Sequence, residues 1–143
     1  MLNNQQTKYI GLDYGKKRTG ISISDCDKAI SFPYKTVETI NLINFLKDLT
    51  KKEKIEKIII GKPLKLNNQI HFLENEIGNL IKIIKNLFPN IAIHRIDERF
   101  TSKISIKILN QLDPKKKIRM DKTVIDKISA SLILESYLNR ITK

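Results

Sequence analysis

Cysteine is nearly missing from this chain of 143 residues: Cys26 stands alone, so no internal disulfide can staple the fold and no cysteine cluster can hold zinc. Only His71 and His94 could supply imidazole, too few to rescue a structural zinc site. Tryptophan is absent and aromatic residues make up 6%. Five glycines and four prolines are far too few for a collagen-like or low-complexity chain. No apolar run approaches the ~20 residues that cross a bilayer, which argues against a membrane partner. The opening MLNNQQTKYIGLDYG lacks a basic segment followed by an apolar stretch. A cleaved secretion signal is therefore not expected, and the chain reads as cytosolic.

What remains is a folded composition, 41% apolar and 29% charged. The length suits one domain over residues 1–143, with 1–7 as a tail, and such a domain buries roughly two-thirds of its unfolded surface. The formal net charge is +12. Ile, Lys and Asn number 26, 22 and 12, against three Ala and five Arg. The abundant residues have codons rich in A and T, so coding bias accounts for part of the lysine excess. A basic surface attracts polyanions whatever its origin, with nucleic acid foremost.

Local patterning sets an order of elements. Lys8 to Asp13 (KYIGLD) and Thr19 to Ser24 (TGISIS) flank a glycine-containing basic turn, as in a β-hairpin. Ala29 to Thr36 reads as a third strand, which Pro33 confines to an edge or a bulge. Ile40, Leu42, Ile43, Phe45, Leu46 and Leu49 follow a helical period. Lys57 to Gly61 is a short apolar strand of the kind covered on both faces. A second helix, from Leu73 through Ile77, Leu80, Ile81 and Ile84 to Phe88, must stop at Pro89. Ile91 to Ile96 is a fifth strand, and Thr101 or Ser102 can cap a third helix bearing Ile104, Ile108 and Leu109. Residues 111–122 read as a mobile basic loop before a final amphipathic helix, Thr123 to Ile141. The order β-β-β-α-β-α-β-α-α predicts an α/β fold, a mixed five-stranded sheet with helices on both faces.

Three acids fall where such a sheet does chemistry. Asp13 ends the first strand on the face of Tyr9 and Gly11, with Gly11 leaving space beside it. An ionised carboxylate there needs a partner or a cation. Glu98 follows the last strand, and ligands of α/β sheets gather beyond the carboxyl ends of parallel strands. Asp97 should point the other way. Asp126 lies in the first turns of the final helix. Each has a plainer reading: a turn cap for Asp13, ion pairing with Arg95 or Arg99 for Asp97 or Glu98, and the helix dipole for Asp126. Together they could hold Mg²⁺ or Mn²⁺, hard cations that prefer oxygen, as a pair able to activate water against a phosphodiester.

Gly11-Leu12-Asp13-Tyr14-Gly15-Lys16-Lys17-Arg18-Thr19-Gly20-Ile21, followed by Ser24-Asp25, resembles the opening motif GxDxGxxRxGxAxSD of the YqgF/RuvX family. Three further blocks match in order: Ile60-Gly61-Lys62-Pro63-Leu64, Asp97-Glu98-Arg99-Phe100-Thr101, and Lys122 through Ala130. These RNase H-like relatives of the RuvC resolvases are regarded as nucleases of pre-16S rRNA. The resemblance implies that Asp13, Glu98 and Asp126 are the metal-binding catalytic acids. It sets Arg18 near the scissile phosphate and residues 111–122 beside the site, and it brings Arg99 and Thr101 into the substrate-binding set. The family's Gly-Leu-Pro is Gly61-Lys62-Pro63 here, and the glycine expected near Asn68 is missing. Ser129 stands where the resolvases carry a fourth acid, which implies weaker hold on a second ion.

The basic side chains expected on substrate are Lys16, Lys17 and Arg18 in the first turn, and Lys115, Lys116, Lys117, Arg119 and Lys122 in the later loop. Few aromatics lie near that loop, so phosphate contacts should outweigh base stacking. The implied activity is metal-dependent endonucleolytic cleavage of structured RNA at the 5′ end of pre-16S rRNA, by a monomer. A resolvase acting on branched DNA and a non-catalytic nucleic-acid-binding module stay open as alternatives. An actin-like ATPase fragment is too short to be one. His94 and Tyr137 read as packing, His71 as exposed, Cys26 as inert, and Asp25 as the residue that orders the turn after the second strand.

Overall fold

The computed structural model describes residues 6–63, 68–97 and 121–141, with side chains in the second helix described from Phe72 onward. Five strands, β1 (Lys8–Asp13), β2 (Arg18–Ser24), β3 (Ser31–Glu38), β4 (Ile55–Lys62) and β5 (Ala92–Asp97), form one sheet in the order β3-β2-β1-β4-β5. β1, β2 and β3 pair antiparallel, whereas β1–β4 and β4–β5 are parallel. The helices are α1 (Leu42–Lys52), α2 (Asn68–Leu87) and α3 (Lys122–Ile141).

Strand alternation decides which helix goes where. Ile10, Leu12, Ile21, Ile58 and Ile60 point to one face and pack against Leu42, Leu46 and Leu49 of α1 and Ile77, Leu80 and Ile84 of α2. Tyr9, Ile59 and Ile96 point to the other and meet Ile133, Leu134, Tyr137 and Leu138 of α3. Ile58, Ile59 and Ile60 are all 0% exposed, which is why β4 needs an unbroken apolar run. Each fully buried Ile or Leu contributes about 1.5–3 kcal/mol of transfer free energy, enough to set this three-layered arrangement.

Polar latches fix α3 more tightly than its apolar stripe alone. Ser22 Oγ donates to the Ala130 carbonyl at 2.7 Å and Ser31 Oγ to the Ser131 carbonyl at 2.8 Å. Thr36 Oγ1 donates to the Thr123 carbonyl. Hydroxyls from β2 and β3 thus grip the helix backbone at its start and near its middle, setting its rotation and axial register.

Several expectations shift by a few residues, each for a local reason. β3 starts at Ser31, because Asp25 closes the preceding turn by accepting the backbone N–H groups of Ala29 (2.8 Å) and Ile30 (2.9 Å). Pro33 lies on the edge strand at a bulge: Ile21 faces Lys35 and Ser22 faces Pro33, leaving Tyr34 as the extra residue. Ile40 does not join the apolar face of α1; it sits in a 3₁₀ turn, Thr39–Asn41, and is 87% exposed. Lys122 is the first residue of α3 rather than the end of a loop. The helix expected after Thr101, and residues 111–120 of the expected loop, lie outside the described residues. Among the described residues no helix is long and apolar enough to cross a membrane.

Candidate active site

Asp13 closes β1 and lies directly across the ladder from Gly20 on β2. Both share the face that α3 covers, since Tyr9 and Ile59 on that face pack against α3. Gly20 is the point of closest approach, because a Cβ there would overlap the backbone carbonyl oxygen of Asp126. The sheet therefore brings Asp13 and Asp126 to one spot, with a glycine between them as the spacer. Gly11 behaves differently from expectation. The room left by its missing side chain holds α3, with the Ala130 carbonyl and Leu134 Cβ each 2.8 Å from where a Cβ would stand. It is a packing glycine, and the space beside its backbone is taken by α3.

Arg18, two residues before Gly20, has the same parity and reaches the same spot. Its Nε donates to Asp126 Oδ2 at 2.9 Å. The two side chains are 36% and 23% exposed, so solvent and ligand can reach the pair. Asp121 caps α3: its Oδ1 accepts the Thr123 N–H at 3.2 Å, and its backbone carbonyl accepts the Val124 N–H at 3.0 Å. The Thr123 hydrogen bond, helped by the Arg18 charge, holds the Asp121 carboxyl below its ordinary value. Sequence reasoning placed Asp121 in the loop and missed this cap; its signal is an aspartate just before the apolar period of α3.

The basic turn is held in place by Thr39, which sequence reasoning overlooked. Its Oγ1 donates to the Gly15 carbonyl at 2.6 Å, and its N–H donates to the Lys17 carbonyl at 2.9 Å. Lys16, Lys17 and Arg18 then line an open groove of about 480 Å³ with Glu38 and the exposed Ile40. Lys16 Nζ lies 5.4 Å from the ring centroid of Phe72, a half-exposed aromatic at the start of α2. An exposed aromatic therefore flanks the first basic segment; the expectation that phosphate contacts outweigh stacking concerned the later loop, which lies largely outside the described residues.

Arg95 is committed elsewhere. Its guanidinium grips both oxygens of Glu74, at 2.7 and 3.2 Å, and donates to the Ile60 and Gly61 carbonyls. This clamp ties α2 to the carboxyl end of β4. His94 and Tyr137 pack ring against ring at 5.4 Å, and Tyr137 also takes a hydrogen bond from Lys57, so both belong to the structural layer under α3. Ser129 is buried at 3% exposure one helical turn after Asp126.

Among the described residues, no three His, Cys, Asp or Glu side chains form a metal-holding group. Asp13 and Asp126 are the two sequence-predicted acids that the structure brings together. Glu98 lies outside the described residues, as do Arg99, Thr101, Lys115, Lys116, Lys117 and Arg119. The donors present are all carboxylate oxygens, which fits a hard divalent cation and disfavours zinc. Arg18 supplies positive charge at Asp126 Oδ2.

Comparisons with known proteins place the chain among nucleases. A protein from Flavobacterium psychrophilum named "Putative pre-16S rRNA nuclease" is 40% identical over 133 residues, covering 93% of this chain and 97% of its own length. A protein of the same name from Karelsulcia muelleri is 41% identical over 140 residues, covering 92% and 98%. Two solved structures share the RNase H-like fold. RuvC of T. thermophilus, in complex with a Holliday junction substrate, aligns with a TM-score of 0.60 at 10% identity, covering 94% of this chain and 96% of that one. The yeast mitochondrial Holliday junction resolvase Ydc2 aligns with a TM-score of 0.55 at 12% identity, covering 93% and 78%. The family model described as "RuvX: Holliday junction resolvase" matches residues 7–140, so the chain belongs to the RuvX family.

Proposed function

We propose that this protein is a metal-dependent endonuclease of structured RNA that trims the 5′ end of pre-16S rRNA in the cytosol as a monomer. Membership of a family of phosphodiester-cleaving nucleases gives the reaction class. The names of relatives near 40% identity support the RNA substrate. The observation that carries the reading is the meeting of Asp13, Gly20, Arg18 and Asp126 at the carboxyl end of β1.

Asp13 and Asp126 would hold Mg²⁺ or Mn²⁺. Glu98 is the proposed third acid, on the resemblance of Asp97-Glu98-Arg99-Phe100-Thr101 to the family motif. Bound there, the ions would supply Lewis acidity to the phosphodiester and lower the pKa of the attacking water. The chain's own groups do the remainder. Lys16, Lys17 and Arg18 seat the backbone phosphates in the groove, with Arg18 able to take a phosphate in bidentate fashion. Arg99, Thr101, Lys115, Lys116, Lys117, Arg119 and Lys122 complete the proposed substrate contacts.

The deciding experiment incubates the protein with Mg²⁺ or Mn²⁺ and either a precursor 16S transcript or a four-way DNA junction. The reading expects metal-dependent cleavage of the RNA. Cleavage of the junction alone would make the protein a DNA resolvase, and binding without cleavage of either would make it a nucleic-acid-binding module.

A further inference from the structure

We infer that Arg18 is an exchangeable counter-ion: it neutralises Asp126 until a divalent cation binds, and the displaced guanidinium then passes to the substrate phosphate. The inference rests on the reading of Asp13 and Asp126 as cation ligands, and it adds an order of events that this reading lacks.

Four features of the site carry it. Arg18 Nε and Asp126 Oδ2 are 2.9 Å apart, so a cation that coordinates that oxygen meets a donor already on it. Movement of helix α3 away from the sheet is opposed by the Ser22, Ser31 and Thr36 latches, which tie its backbone to β2 and β3. The exchange must therefore happen in side chains, and both are exposed enough to swing. Finally, the Arg18 side chain has somewhere to go: it lines the groove it shares with Lys16 and Lys17, where a phosphate would complete its hydrogen bonds.

Two consequences separate this arrangement from a merely structural ion pair. Arg18 competes with the cation when no substrate is present, so removing it should tighten cation binding. When nucleic acid is present the two should help each other, because the cation frees Arg18 and a phosphate holds it away from Asp126. Linkage makes that help reciprocal.

The test measures Mn²⁺ binding by calorimetry on the full chain, for wild type, Arg18→Gln, Arg18→Lys and Lys17→Gln. Lys17→Gln removes the same charge one residue away and corrects for the general field. Arg18→Gln should bind Mn²⁺ about two- to fivefold more tightly than Lys17→Gln, the range expected for one partly exposed ion pair. Arg18→Lys should stay near wild type and guards against a folding defect. Mn²⁺ should also tighten binding of a short single-stranded DNA oligonucleotide to wild type and Lys17→Gln, and do so much less for Arg18→Gln. Equal or weaker Mn²⁺ binding by Arg18→Gln, with the other proteins binding normally, overturns the exchange alone. If none of the four proteins takes up Mn²⁺, the metal reading falls and the exchange falls with it.

Discussion

The backbone carbonyl oxygen of Asp126 occupies the position that a Cβ on Gly20 would take. The helix bearing one acid therefore rests on the strand position directly opposite the other, Asp13. The backbone contact at Gly20 sets where Asp126 starts from, relative to Asp13.

Gly20→Ala should accordingly harm activity more than stability. The added methyl must push α3 off β2, an overpacking cost of about 1–3 kcal/mol. Because Asp126 moves with the helix, cleavage should fall by well over tenfold at a temperature where the variant is still folded. Melting curves beside cleavage rates check this. A variant that melts early yet cleaves normally would show that the contact holds the fold without placing Asp126.

Ser22→Ala tests the latch beneath the same helix. Ser22 is fully buried and its Oγ donates to the Ala130 carbonyl at 2.7 Å. Loss of that bond should cost about 0.5–1.5 kcal/mol, read from denaturant midpoints with an unchanged slope. An unaltered midpoint would mean that apolar packing alone holds α3.

Most of the architecture was legible because its signals are periodic. The alternation of Tyr9, Gly11 and Asp13 against Ile10 and Leu12 sorted the two faces of β1 correctly, and the wholly apolar Ile58-Ile59-Ile60 marked the doubly covered strand. The errors fall where a non-local contact overrides local pattern. Ile40 continues the spacing of α1 but is held in a 3₁₀ turn next to Thr39, which is tied to the β1–β2 turn. Gly11 suggested empty space because a sequence shows an absent side chain and hides the helix that fills the gap. The Arg18–Asp126 pair joins residues 108 positions apart, a separation at which no spacing rule operates. The resemblance put both near the reaction; their direct contact needed the fold.

Acid should weaken the β2–β3 turn specifically. Asp25 accepts backbone hydrogen bonds from Ile30 and Ala29, with Ile30 the larger influence, and these hold its carboxyl below the ordinary value. A lowered folded-state pKa contributes stability that is complete above the unfolded value of about 4 and is lost as pH falls through the folded value. Wild type should therefore lose more of its melting temperature than Asp25→Ala does as pH falls from about 5 to below 4. Parallel curves for the two proteins would remove Asp25 from the acid response.

Nucleic-acid affinity should fall steeply with salt. Replacing Lys115, Lys116 and Lys117 together with Ala should reduce the slope of log affinity against log salt by up to about three, since each lost phosphate contact releases about one fewer counterion. Fluorescence anisotropy with one RNA across several salt concentrations measures it. A slope equal to wild type would reduce those lysines to solvated surface.

The central claim, that Asp13 holds a catalytic cation, is tested most directly by the cleavage rate of Asp13→Asn on precursor 16S RNA with Mg²⁺ or Mn²⁺. Asparagine keeps the size of aspartate but removes the charge that holds a dication. RNA affinity should persist or rise slightly, because one carboxylate no longer repels phosphate. The account predicts a folded protein that binds RNA and does not cut it. Near-wild-type cleavage by Asp13→Asn would contradict it, since an aspartate that merely caps its turn can be replaced by asparagine at little cost.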